Sequence, residues 1–168
     1  MLSRLHTEER GFGLLELLMS MTMLSVGILA TIAALNAGAI TLQRASKIST
    51  ATTLADAQME LYRAVKYTAI GLEPGLYSTA SADSLYAGSA PTGTVDTSCG
   101  STSLAECKPM QTVNGPDQRS YRIDSYIVAQ TPTGGRPLKT VRVIVRDGSD
   151  LSRALVRQES TFDESTGS

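Results

Sequence analysis

Gly11-Phe12-Gly13-Leu14-Leu15-Glu16, continued by an apolar run to Leu42, decides how the chain is read. Glu16 is the only charged residue between Arg10 and Arg44. From Leu17 to Leu42 the run would rise roughly 39 Å as helix. That is enough to cross a hydrocarbon core of about 30 Å. A carboxylate inside a helix of membrane length is costly and is a functional candidate by default.

The run is not uniformly apolar. Ser20, Thr22, Ser25, Thr31 and Asn36 interrupt it, and Gly27, Ala30, Ala34, Ala37 and Gly38 are small. Small residues let helices approach closely. The plain reading is a signal-anchor with small residues by chance. The sharper one is a helix that first spans alone and then packs against copies of itself. Charge bias does not fix orientation, because Arg44 and Lys47 also flank the far end.

Residues 1–11 form a short charged leader carrying Arg4, Glu8, Glu9 and Arg10. A secretory signal peptide is cut after its apolar region, at a small-residue site. Here the Gly11–Phe12 junction lies before it, so cleavage there leaves the whole helix in the mature chain. Processing after Ala30 or Ala34 is the competing reading.

The 168 residues leave room for one domain plus an anchor. With 15 basic and 16 acidic residues, net charge is −1, which gives no electrostatic case for nucleic acid. The only histidine is His6. If the leader is removed, Ser-His or Cys-His catalysis and His-ligated metal sites are excluded within the mature chain. No residue set points to an enzyme or a cofactor.

Residues 44–67 change to an amphipathic pattern. Ile48, Ala51, Leu54, Ala55, Tyr62 and Val65 recur at three- and four-residue spacing. Asp56, Glu60 and Arg63 fall opposite, with Glu60 and Arg63 able to pair one turn apart. This half is expected to continue the apolar helix without a break, roughly 84 Å from Phe12 to Tyr67. Gly71, Pro74 and Gly75 end it.

Residues 68–119 read as a connecting loop region rich in Gly, Ser, Thr, Ala and Pro, with short strands expected around Gly75–Thr79 and Ser84–Tyr86. A stretch this long without clear elements is functional or poorly ordered. Cys99 and Cys107 lie in it. A disulfide between them would close a short loop, worth roughly 2–3 kcal/mol, and an exported location favours oxidation. Two unrelated thiols are the alternative.

Residues 120–160 give the clearest strands, an antiparallel β-meander. Val141, Val143 and Val145 alternate with Arg142 and Arg146, and Ile144 shares the arginines' face. Tyr121, Ile123, Ile127 and Ala129 line one face of the strand before. The valine face is expected to pack on the helix stripe and the arginine face to be solvated. Residues 161–168 read as a flexible tail. The sum is an α+β fold: a long N-terminal helix, half of membrane character, packed on a small sheet of three or four antiparallel strands.

Gly11 to Glu16, after a charged leader and before an apolar helix, resembles the class III signal of type IV prepilins and pseudopilins. Leu24-Ser25-Val26-Gly27-Ile28-Leu29 is similar to minor pilins of the pilus-modification (PilV-like) group. The resemblance covers about the first quarter of the chain. It implies the pilin fold, cytoplasmic cleavage between Gly11 and Phe12 by a prepilin peptidase, and N-methylation of Phe12. It also implies a cytoplasmic N-terminus in the inner membrane, with later residence in a surface or periplasmic filament.

The partners implied are other pilin or pseudopilin subunits through the N-terminal helix, the peptidase/methyltransferase, an inner-membrane assembly platform and the lipid bilayer. Glu16 becomes the fifth mature residue, where it can pair with the new amine of Phe12 on a neighbouring subunit. The alternative is a first-turn carboxylate that only orients the anchor. Gly13 stands where the family often has threonine. Ala33 stands where many major pilins have a helix-bending proline, which weakens a major-subunit assignment and leaves the family resemblance intact. A pseudopilin of a type II secretion or competence system is the near alternative. A signal-anchored binding or enzymatic domain is the alternative of another class.

Overall fold

A computed structural model describes residues 13–165. The chain divides into two compact units between Arg44 and Ala45. Helix α1, Leu14–Ala64, supplies the whole described part of the first unit and the opening of the second.

In the first unit every described side chain is exposed. One 18-residue window reaches a mean hydropathy of 2.0 with none of it buried, so the helix is long and apolar enough to cross a membrane. Leu17, Leu24, Ile28, Leu29 and Leu35 are all more than half exposed.

The second unit begins with the rest of α1 and continues through α2 (Pro74–Ser81), α3 (Ser84–Ser89), β1 (Thr94–Val95), β2 (Met110–Asn114), β3 (Ser120–Gln130), β4 (Leu138–Asp147) and β5 (Asp150–Asp163). The five strands form one antiparallel sheet. β3 pairs with β4 and β4 with β5, while β1 and β2 share the other edge of β3. This is an α+β arrangement, a long N-terminal helix packed on a small antiparallel sheet.

The inner face of the sheet is apolar. Ala51, Ala55, Met59 and Tyr62 of α1 close on Tyr121, Ile123 and Ile127 of β3 and Val141, Val143 and Val145 of β4. The alternation of β4 puts its three valines on this face, as period-2 patterning requires. The buried stripe of α1 starts at Thr50, not Ile48, which is 44% exposed. Helix α1 also ends at Ala64 rather than Tyr67. Lys66 turns extended (φ −64°, ψ 146°) and Tyr67–Ala69 form a separate 3₁₀ turn.

Pro74–Ser81 and Ser84–Ser89 are helical where short strands are expected around Gly75–Thr79 and Ser84–Tyr86. Glu73 caps α2 by accepting the Leu76 N–H at 2.5 Å, and Pro74 sits at a first-turn position where its missing N–H is harmless. Asp83 caps α3 by accepting from Leu85 and Tyr86, both at 2.9 Å.

These two helices cover the outer face of the sheet. Ala80 and Tyr86 pack on Tyr126 and Ile144, with the Tyr86 and Tyr126 rings stacked 4.4 Å apart. The expectation of a solvated arginine face is therefore overturned at Arg146, which is 4% exposed beside the fully buried Ile144, while Arg142 stays half-buried and pairs with the exposed Glu159. The frayed tail is shortened as well. β5 runs on to Asp163, and Phe162 is buried in the inner core.

Candidate functional site

The candidate assembly site is the first turn of α1. Gly13 opens the helix, its carbonyl accepting from Glu16 at 2.9 Å and Leu17 at 3.2 Å. Glu16 lies where the helix dipole favours an anion. Its carboxylate has no partner among the described residues. Gly11 and Phe12, the expected processing pair, lie outside them.

The polar residues of the run are mostly satisfied within the helix. Ser20 donates to the Glu16 carbonyl, Thr22 to Met19, Ser25 to Met21, Thr31 to Gly27 and Thr41 to Ala37, all at 2.8–2.9 Å. Bonds to carbonyls one turn back let hydroxyls sit among apolar neighbours at little cost. Around Gly27 the surface dips into a shallow groove lined by Met23, Leu24, Ile28, Thr31 and Ile32. No Cβ stands there to keep a second helix away.

In the second unit Cys99 and Cys107 are joined as a disulfide, Cα atoms 5.8 Å apart. The bonded pair brackets a short loop ending in a 3₁₀ turn, Ala105–Cys107.

Sequence reasoning missed the charged network under α3. Asp124, fully buried, accepts from Arg122 Nε at 2.7 Å and Arg146 Nε at 2.8 Å. Arg122 reaches on to Asp83, the α3 cap, at 3.0 and 3.2 Å. Arg146 donates to Ser89 Oγ at the other end of α3 and to the Leu151 carbonyl. The signal was available: Arg122 and Asp124 are two apart on a strand, so opposite charges share one face.

Burial alone would lower the Arg122 pKa, but Asp83 and Asp124 overcome it and hold the guanidinium firmly charged. The Asp83 carboxyl is held down to about 2, first by Arg122 and then by the Tyr86 N–H. Tyr126 is pushed up to about 12 by burial and by the Asp124 charge.

A second pair of contacts serves the inner face. Lys139 donates to the Ile70 carbonyl at 2.6 Å, pairs with Asp96 at 2.9 Å and lies over the Tyr67 ring. Lys47 joins Asp147 at 2.5 Å, and that bond, with help from Ser149, holds Asp147 down to about 2.

A cleft of about 350 Å³ in this unit is lined by Met110, Gln111, Thr112, Ser120, Arg122, Gly148 and Leu151. Its one ionisable group, Arg122, is already committed to two carboxylates. No cluster of potential metal ligands occurs among the described residues.

No protein-family model matches the chain, and neither a curated protein nor a solved structure does so.

Proposed function

We propose that the protein is a structural, minor pilin-like subunit, cleaved between Gly11 and Phe12, held in the inner membrane through α1, and then built into a type IV pilus or its tip complex. One observation carries the reading. A glycine–phenylalanine junction stands five residues before a lone glutamate, at the head of an apolar helix with every described side chain exposed up to Lys47.

Two further features support it. Hydroxyls bonded along the helix suit both lipid and a helix bundle. The second unit builds its own core, so the apolar segment is spare surface rather than missing interior. In a bundle a lone Glu16 would be penalised by several kcal/mol unless paired. The amine that cleavage creates at Phe12 of a neighbour supplies the opposite charge. The protein's partners are then other subunits, the processing peptidase, the assembly platform and, before assembly, lipid.

The test is mass spectrometry of the mature chain. The expected N-terminus is Phe12 carrying one added methyl group. An intact leader in cells with an active prepilin peptidase overturns the proposal. Glu16→Leu separates assembly from anchoring: membrane insertion persists, while incorporation into filaments falls by at least about tenfold. Normal incorporation would sink the pairing role.

A further inference from the structure

The cover formed by α2 and α3 is reached from α1 through one short strap, residues 70–73. The strap is gripped by the neck of the disulfide loop. The Leu72 N–H donates to the Asp96 carbonyl at 2.9 Å, and the Cys99 N–H donates back to the Leu72 carbonyl at 3.2 Å. The Glu73 N–H donates to the Cys107 carbonyl at 2.9 Å. Both cysteines thus hold the strap through their own backbone atoms, one on each side.

The fit is close. A Cβ at Gly71 would lie 2.4 Å from Ser98 Oγ and 2.9 Å from its backbone nitrogen. The strap's last residue, Glu73, caps α2, and its carbonyl accepts the Tyr77 N–H. The grip is therefore continuous with the start of the cover.

The loop has little else to hold its shape. Its ends are tied to β3, where the Asp96 N–H donates to the Ile127 carbonyl and the Ser125 N–H to the Pro109 carbonyl. Between them Gly100, Thr102, Ser103 and Leu104 are exposed. Across the neck itself the one covalent tie is the bond; the remaining ties are the strap's own hydrogen bonds to Cys99 and Cys107, the turn closed by the Cys107 N–H on the Leu104 carbonyl at 3.2 Å, and a 3.3 Å contact from Gln58 to the Ala105 carbonyl.

We propose that the Cys99–Cys107 bond is the lock on the α2–α3 cover, and that it must form before the cover closes. With two thiols in its place the neck opens, the strap loosens, and the cover lifts from Tyr126, Ile144 and the buried arginines. The order is part of the proposal, and access is its ground: in the folded head, with the strap bonded to both cysteines, Cys107 is 1% and Cys99 9% exposed, out of reach of a protein-sized oxidant. Forming the bond removes two electrons and two protons from the thiols. The acceptor is the disulfide of a thiol–disulfide oxidoreductase, which leaves as a dithiol after exchange through a mixed disulfide. This inference rests on the second unit alone and stands apart from the filament reading.

Hydrogen exchange on the full chain in detergent micelles, with and without tris(carboxyethyl)phosphine, tests it. Reduction is expected to speed exchange in residues 74–89 by about tenfold or more, and to leave residues 121–128 and 141–145 unchanged. In the same reduced protein both thiols should react with iodoacetamide as fast as in urea. A doubly substituted chain, Cys99→Ser with Cys107→Ser, should show the open cover without reductant. Unchanged exchange in 74–89, thiols that stay shielded after reduction, or a parallel rise across β3 and β4 would each overturn the lock.

Discussion

The two faces of the sheet are closed by different physics. On the inner face, α1 lies on valine, isoleucine and tyrosine side chains, and the closing force is apolar area. On the outer face, α2 and α3 bury only a small cluster, Ala80 and Tyr86 on Tyr126 and Ile144. There the helices are fixed mainly by hydrogen bonds and charges: Asp83 to Arg122, Arg122 and Arg146 to Asp124, Arg146 to Ser89. Area is non-directional and tolerates repacking. A buried ionic network is directional and fails when one member is lost. The same sheet therefore has one forgiving face and one brittle face.

The largest way to break the comparison is Asp124→Ala. It leaves two buried guanidinium groups without their shared carboxylate, at a cost of about 3–5 kcal/mol. Urea unfolding of the full chain in detergent measures it. Replacing the triad by apolar residues, Arg122→Met with Asp124→Leu and Arg146→Met, should recover most of that loss, because the paired charges contribute little beyond their own desolvation. Loss at Asp124 below about 1 kcal/mol would mean that water reaches the arginines and that the outer face is not brittle.

The difference also explains what could be read in advance. Val141, Val143 and Val145 announce the inner face because apolar alternation has one common meaning. Arg142 and Arg146 alternate just as cleanly, yet only their partners decide whether they face water. Arg146 meets Asp124 from the neighbouring strand and Ser89 from a helix 57 positions away, contacts that no local pattern contains. The helices over that face were hidden for another reason. Each is one or two turns long and rests on its cap, Glu73 or Asp83, more than on a periodic stripe. The exposed α1 segment was legible because composition alone sets it. Glu16 was singled out by its isolation, and nothing in the fold of the second unit bears on it.

A smaller effect sharpens the contrast. Ile127 and Ile144 are both fully buried, one on each face. Truncation to alanine should cost about 2–5 kcal/mol at either site if both faces are packed to interior density. The expected difference lies in what is lost. Ile127→Ala should loosen α1 and the whole core together, whereas Ile144→Ala should raise exchange in residues 74–89 first. Equal exchange profiles would show that the two faces unfold as one unit, and the division drawn between them would fall.

The smallest effect is acid, and it tests both faces at once. The carboxyls of Asp83 on the outer face and Asp147 on the inner are each held down to about 2, the first by Arg122 and the second by Lys47. An unfolded aspartate titrates near ~3.9. Each folded value is depressed, so each pair contributes in full above about pH 4 and loses its contribution as pH falls toward 2. The pairs keep a water-facing member, Asp83 at 33% and Lys47 at 27% side-chain exposure, which limits what either supplies. Between pH 5 and pH 2 the wild-type chain should lose stability in two places, α3 and the β4–β5 turn. Asp83→Asn should remove the acid response of α3 alone, and Lys47→Met that of the turn alone. If either single change abolishes both responses, the two faces are coupled through the sheet, and the brittle face is being held in part by the forgiving one.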